Sequence, residues 1–275
     1  MKTLTVVEAG RGTHEALSRG RGTVCAVFRR SVYLHLPGDR HVCLGDGTVG
    51  RGPINGIVAE GAELHALRQG DRVRVNSRDA MHWLPRVRSA APVAGALRGN
   101  LRSLRNAAAL GVPRDGLGSR LAGAASPFLQ QADAALDAFD AWLRSPVRAF
   151  PDAAVGLLGW GPGLTPSGDD YLAGALVALR AMGCDATAER LWDALRDAAA
   201  TRTHAISRAH LVAAAGGEAH ETLHDCLEQL LGGDEPRWDE PLARLSRAGH
   251  CSGWDALAGA AAAVRAMVAS KGATR

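Results

Sequence analysis

Residues 167–175 read Ser-Gly-Asp-Asp-Tyr-Leu-Ala-Gly-Ala, and residues 252–260 read Ser-Gly-Trp-Asp-Ala-Leu-Ala-Gly-Ala. Seven of the nine positions are identical, 85 residues apart. Each copy has the marks of a helix start: a serine that can cap, an aspartate in the first turn, and a leucine on the face to be buried. Alanine and glycine after that leucine allow two helix backbones to approach closely. Capping preferences alone account for Ser, Gly and Asp, but not for Leu-Ala-Gly-Ala. The repeat therefore predicts two helix N-termini facing each other across an approximate twofold axis.

The first copy is preceded by an unusual loop, Gly159-Trp-Gly-Pro-Gly-Leu-Thr-Pro-Ser-Gly-Asp-Asp170. Glycine permits positive φ and close approach of a ligand, and proline stiffens the path. A loop of this kind running into a helix N-terminus aims unpaired N–H groups outward, a ready anion site. Gly161, Gly163, Thr165, Ser167 and Gly168 are the candidate donors. Asp169 and Asp170 complicate this reading, because two carboxylates repel a bare phosphate. One of them must cap, accept from a donor such as a carbamoyl –NH2, or hold a divalent cation such as Mg2+ that bridges to phosphate. Asp255, with Ser252 and Gly253, is the counterpart in the second copy.

Outward from these copies the chain reads as helical from about residue 94. Ser126-Pro127 marks an N-cap and a first-turn proline. Leucines at 172, 176 and 179, at 223, 227 and 230, and the run Leu257, Ala261, Val264, Val268 keep helical spacing. Leu191 and Leu195 mark a shorter helix, and Arg144 to Asp152, with two prolines, is a connector. Residues before about 92 read differently. Thr23–Phe28, Val32–Leu36, His41–Leu44, Ile54–Ala59 and Arg72–Val75 are short, β-branched or alternating, and separated by Gly/Pro/Asp turns. The expected fold is α+β: a small barrel- or sandwich-like β domain over 1–92, then an alanine-rich helical domain over 93–275.

Composition narrows the chemistry. Of 32 basic residues only Lys2 and Lys271 are lysine, and both stand near the ends of the 275-residue chain. That argues against a lysine nucleophile, a pyridoxal Schiff base and a P-loop. Arginine suits planar anions. The net charge of +4 comes without a basic run, so nucleic acid is not an expected partner. Five cysteines, widely spaced, argue against a disulfide framework and a zinc knuckle. No charged-then-apolar leader opens the chain, and apolar stretches such as Leu172–Leu179 fall short of a membrane span. A reduced, soluble, cytoplasmic protein is expected, without a membrane partner.

Other motifs carry weaker signals. Thr201-Arg202-Thr203-His204, with Ser207, offers hydroxyls, a guanidinium and an imidazole before a helix, or simply a cap at Thr203. His250, before the second copy, is a candidate general acid or base. His220-Glu221-Thr222-Leu223-His224 fits the zinc-hydrolase pattern, but the leucines at 223, 227 and 230 set a buried stripe beside it. Gly50-Arg51-Gly52-Pro53 is a turn that could also offer an anion contact, closing over the site between domains.

The string G-x-G-P-G-L-T-P-S-G-D-D-x-L-A-G, then T-x-x-x-S at Thr203–Ser207, then G-H-C-S-G-W-D-x-L-x-G at 249–259, resembles the AllH-like family. Those proteins are bacterial subunits linked to the oxamate carbamoyltransferase of allantoin breakdown. The resemblance implies carbamoyl transfer between oxamate and phosphate, a small anionic substrate, and partner subunits or self-association. Cys251 stands where the pattern has serine. On the residues alone, Asp170, Asp255 and His250 are the catalytic candidates. Gly161, Gly163, Thr165, Ser167, Gly168, Asp169, Arg202, Thr203, Ser207, Ser252 and Gly253 are the binding candidates, and Asp169 with Asp170 the candidate Mg2+ ligands. A non-catalytic anion-binding subunit and a metal-dependent hydrolase are the alternatives.

Overall fold

The computed structural model describes residues 2–17, 20–85, 94–232 and 235–272. The chain divides into two compact units: residues 1–86 with 218–221, and residues 87–217 with 222–275.

The first unit is a closed six-stranded barrel with one added strand. Strands β1 (Lys2–Gly10), β2 (Arg21–Val27), β3 (Ser31–Leu36), β4 (Arg40–Gly45), β5 (Asn55–Val58) and β6 (Arg72–Asn76) run in the order β5-β4-β3-β2-β6-β1. A β5–β1 pairing closes the ring, and β7 (Met81–Trp83) lies against β1. Alternation explains the closure. In β1, Leu4 and Val6 turn inward and meet Val24, Leu34, Val42, Leu44, Val73 and Val75 in one buried core. The five strands expected from sequence all form. The strands that were not expected are β1 and β7, and they pair in parallel, β1 with β6 and with β7. β1 also pairs antiparallel with β5, which closes the ring.

The second unit is helical: α2 (Ala94–Ala108), α3 (Ser119–Ala122), α4 (Pro127–Arg144), α5 (Asp152–Val155), α6 (Ser167–Ala181), α7 (Asp185–Arg202), α8 (Ala205–Ala215), α9 (Glu221–Leu231), α10 (Asp239–Arg247) and α11 (Ser252–Gly272). A short helix in the barrel unit, α1 (Arg11–Ala16), precedes them. Ser126 caps α4 by accepting from the Leu129 amide at 3.0 Å, with Pro127 in the first turn. The helix marked by Leu191 and Leu195 is longer than its leucines suggest, because Ala188 and Ala199 extend its buried face by a turn at each end.

The two repeat copies form the centre of this unit as α6 and α11, each buried on nearly all sides. Their glycines set the crossing. A Cβ on Gly174 would come within 1.8 Å of the Ala256 carbonyl oxygen, and one on Gly259 within 1.8 Å of the Tyr171 carbonyl oxygen. Gly174 and Gly259 hold the same place in their copies, as do Tyr171 and Ala256, so the contact is reciprocal. The same exchange occurs at the helix starts, where Ser252 acts on Asp170 and Ser167 on Asp255. Two helices that meet start to start and again a turn later run side by side in one sense, with their N-termini together.

Candidate functional site

Because α6 and α11 start side by side, their fourth residues, Asp170 and Asp255, are brought together. Asp255 is 1% exposed, and its Oδ1 accepts from the Gly118 amide at 2.7 Å. Burial pushes its carboxyl up to about 6, against the lowering pull of Ser167 and the Gly118 and Leu117 amides. Asp170 is half-buried by solvent contact yet deeply enclosed by protein. Desolvation, and next the charge of Asp255, hold its carboxyl well above the usual carboxylate range. Ser252 and Thr165 offset this only in part. Each of the two carboxylates keeps one oxygen, Oδ2, that is shut from solvent and has no hydrogen-bond partner. The Thr165 and Ser252 hydroxyls are 3.0 Å apart and join the glycine loop to the second copy.

The glycine loop itself leaves the protein surface. Gly161 and Gly163 hold φ of +104° and +94°. Gly161 turns back onto Ser167, whereas nothing lies within 4 Å of where a Gly163 Cβ would be. Pro162, Gly163 and Leu164 are exposed, and Thr165 is half-buried. The Gly168 amide is spent on the Trp160 carbonyl at 2.9 Å, and the missing Gly168 side chain admits the Leu157 carbonyl. Gly253 likewise admits Leu245. These two glycines serve packing.

Asp169 and Asp170, considered together for a cation, face different partners. Asp169 is 1% exposed. Its Oδ1 accepts from the Gly159 amide at 2.8 Å, and its Oδ2 from the hydroxyls of Thr203 and of Ser207, the latter at 2.6 Å. Asp169 thus ties the loop to the α7–α8 junction. Thr203 and Ser207 give their protons to it, and Arg202 and His204 are exposed.

His250 is exposed and bonds Asp115 at 2.9 Å, which holds the Asp115 carboxyl below its usual range. Burial, then Asp255 and Asp115, push the Cys251 thiol up to about 12, away from the thiolate form. The segment 115–118 is the part of the site that the sequence reading missed. A Cβ on Gly116 would stand 2.7 Å from Asp255 Oδ1, so Asp-Gly-Leu-Gly is shaped to receive that carboxylate.

The two remaining motifs resolve within the barrel unit. The Arg51 side chain bonds Glu8 at 2.6 Å and Glu221 at 3.4 Å, which occupies the guanidinium considered for an anion. A His220 ring N–H donates to the Val49 carbonyl at 2.9 Å. His220 and Glu221 fold with the barrel, whereas His224 belongs to the helical unit. The zinc-hydrolase pattern is therefore split, and it is not among the metal-capable groupings found in the described residues.

A parallel helix pair thus brings two helix N-termini, two enclosed carboxyls and an exposed glycine loop to one place. Residues 157–264 match the family model of oxamate carbamoyltransferase subunit AllH, a stretch that holds both repeat copies. No curated protein and no solved structure matches the chain. Among the described residues, no helix is long and apolar enough to cross a membrane.

Proposed function

We propose that the helical unit binds the two halves of a carbamoyl-transfer reaction, in a complex that cleaves oxalurate with phosphate to oxamate and carbamoyl phosphate. The observation that carries this reading is the Asp170–Asp255 pair, each with a buried, unpartnered oxygen. Such oxygens call for N–H donors, and a carbamoyl group offers a planar –NH2. The amides of the exposed bend at 161–165 and of the two helix N-termini suit the anion.

The chemistry then divides between the two carboxyls. Asp255, ionised above about pH 6, accepts from the carbamoyl –NH2 and orients it. A phosphate oxygen attacks the carbamoyl carbon, and main-chain amides receive the oxyanion that develops. The bond from that carbon to the oxamate nitrogen breaks. Asp170, whose carboxyl burial and Asp255 hold well above the usual range, is the group suited to give a proton to the departing nitrogen. Asp169, Thr203 and Ser207 hold the loop, and His250 stands at the rim.

The groups acting most strongly on Asp170 and Asp255 include no cation. A transfer between two anions needs one, which favours partner subunits that supply arginine to the site. It is also the ground for the second reading, an anion-binding subunit that shapes a partner's centre. Phosphorolysis of oxalurate, followed as carbamoyl phosphate released, tests both with the purified chain alone and with its co-purifying subunits. Activity in either form that is lost in Asp170→Asn, with the fold intact, supports catalysis here. Unchanged activity of the Asp170→Asn complex refutes it.

A further inference from the structure

A second concave site lies in the helical unit, apart from the carboxylate pair. Its volume is about 500 Å³, and five arginines line it: Arg98, Arg102 and Arg105 from α2, Arg120 from α3 and Arg265 from α11. Residues 98, 102 and 105 keep one face of their helix. The α11 wall, Ala261 and Arg265, lies six and ten residues beyond Asp255, about 9 and 15 Å along the axis.

One carboxylate, that of Asp140, also lines the pocket, and it balances the five arginines only in part. Arg120 is held by Asp140 at 2.9 Å and Asp137 at 3.0 Å. Among the described residues, no carboxylate pairs with Arg98, Arg102, Arg105 or Arg265. Like charges three and four residues apart on a helix repel, so fold stability does not explain the stripe. Gly123, with φ of +68°, has no Cβ where the Arg105 guanidinium lies, since one would stand 2.7 Å from Nη2. That guanidinium is thereby laid over a bare backbone at the pocket wall. Arg265 is half-buried near the Tyr171 hydroxyl, which bonds Asp140 at 3.4 Å. Leu101, Leu104, Leu121 and Ala261 add an apolar surface.

We infer that this pocket binds a nucleotide-sized organic polyphosphate, its phosphates gripped by Arg98, Arg102, Arg105 and Arg265 and its organic part resting on the leucines. Guanidinium forks match phosphate oxygens two at a time, and four unneutralised cations suit a ligand carrying three or four negative charges. A mono-anion the size of oxamate would leave most of that charge and volume unused. A long nucleic acid would want a stripe of cations rather than a pocket.

Isothermal titration of the full chain with ATP, and separately with inorganic tripolyphosphate, at 150 mM salt and without magnesium tests this. We expect one saturable site for ATP, weaker binding of tripolyphosphate, and a loss of about tenfold to a hundredfold in Arg98→Gln/Arg102→Gln. Both side chains are exposed, so the double variant should fold. Affinity for ATP should be unchanged in Asp255→Asn, which separates this site from the carboxylate pair. The inference is overturned by absence of saturable binding, by affinity that ignores the arginine substitutions, by loss in Asp255→Asn, or by a single-stranded oligonucleotide binding more tightly than ATP.

Discussion

Asp255→Asn should make the protein more stable at pH 8 while removing its activity. In the folded state burial raises this carboxyl from 3.8 to about 6. Between those values the unfolded chain has released the proton and the folded chain has not, so folded stability falls as pH rises through the window. Above it, both states are ionised and the folded state carries a penalty of about 3 kcal/mol. Asparagine removes that penalty and keeps an oxygen for the Gly118 amide, now 2.7 Å from Asp255 Oδ1. Its –NH2 takes the place of the unpartnered Oδ2, near Asp170, which can accept from it. Imperfect reorientation will consume part of the gain, leaving about 1–2 kcal/mol, or roughly 2–8 °C in the transition of the helical unit. Calorimetric scans at pH 4.5 and pH 8 measure it: the variant's advantage should be clear at pH 8 and shrink at pH 4.5. A loss of stability of equal size at both pH values would refute the reasoning. It would mean that the carboxylate is needed as a carboxylate by the fold.

Asp169→Ala should behave in the opposite way. It strands the Gly159 amide and two hydroxyls, so a loss of about 2–5 kcal/mol in urea unfolding is expected. Gly174→Ala and Gly259→Ala each push a Cβ into a backbone carbonyl that cannot rotate away. Each should cost about 1–3 kcal/mol despite better helix propensity, and the twofold relation predicts similar losses and a double variant less costly than the sum. Anion binding at the glycine loop should be proton-linked. A negative ligand favours the protonated carboxyls, so phosphate or oxamate should bind with proton uptake and more weakly as pH rises above about 6. Titration calorimetry in buffers of different ionisation enthalpy reads the proton count directly, and an uptake of zero contradicts the shared site.

Much of this arrangement is legible in the sequence because the repeat states it twice. Seven matched positions place a serine, an aspartate and a glycine identically in two helices, and one crossing satisfies both sets. The Ser126-Pro127 cap and the hairpin turn at 37–39 are local signals and translate directly. Contacts made over distance without any pattern of their own were not legible. Asp-Gly-Leu-Gly at 115–118 reads as an ordinary turn until the carboxylate of Asp255, 137 residues beyond Gly118, enters it. Adjacent aspartates look like a cation pair, but successive helical residues point about 100° apart, and Asp169 is drawn to Thr203 and Ser207 instead. The arginine stripe of α2 stood in plain view at residues 98, 102 and 105. It carried no meaning without Arg120 and Arg265 facing it from other helices.

The convergence of two helix N-termini also removes the objection that a pair of carboxylates repels an anion. Each helix start presents about half a positive charge, so two side by side supply about one. Side by side in one sense, these ends repel each other, and the fold needs negative charge between them to offset that. Two ionised aspartates oversupply it, and burial, the largest influence on each, raises both carboxyls. With one proton shared, the carboxylates contribute one negative charge against one positive from the helices. An incoming phosphate or oxamate then meets a locally neutral site that still offers amide donors, a carboxylic proton and carboxylate acceptors. On the proposed reading, the same pair in its singly protonated form would let an anion and a carbamoyl –NH2 lie against one another.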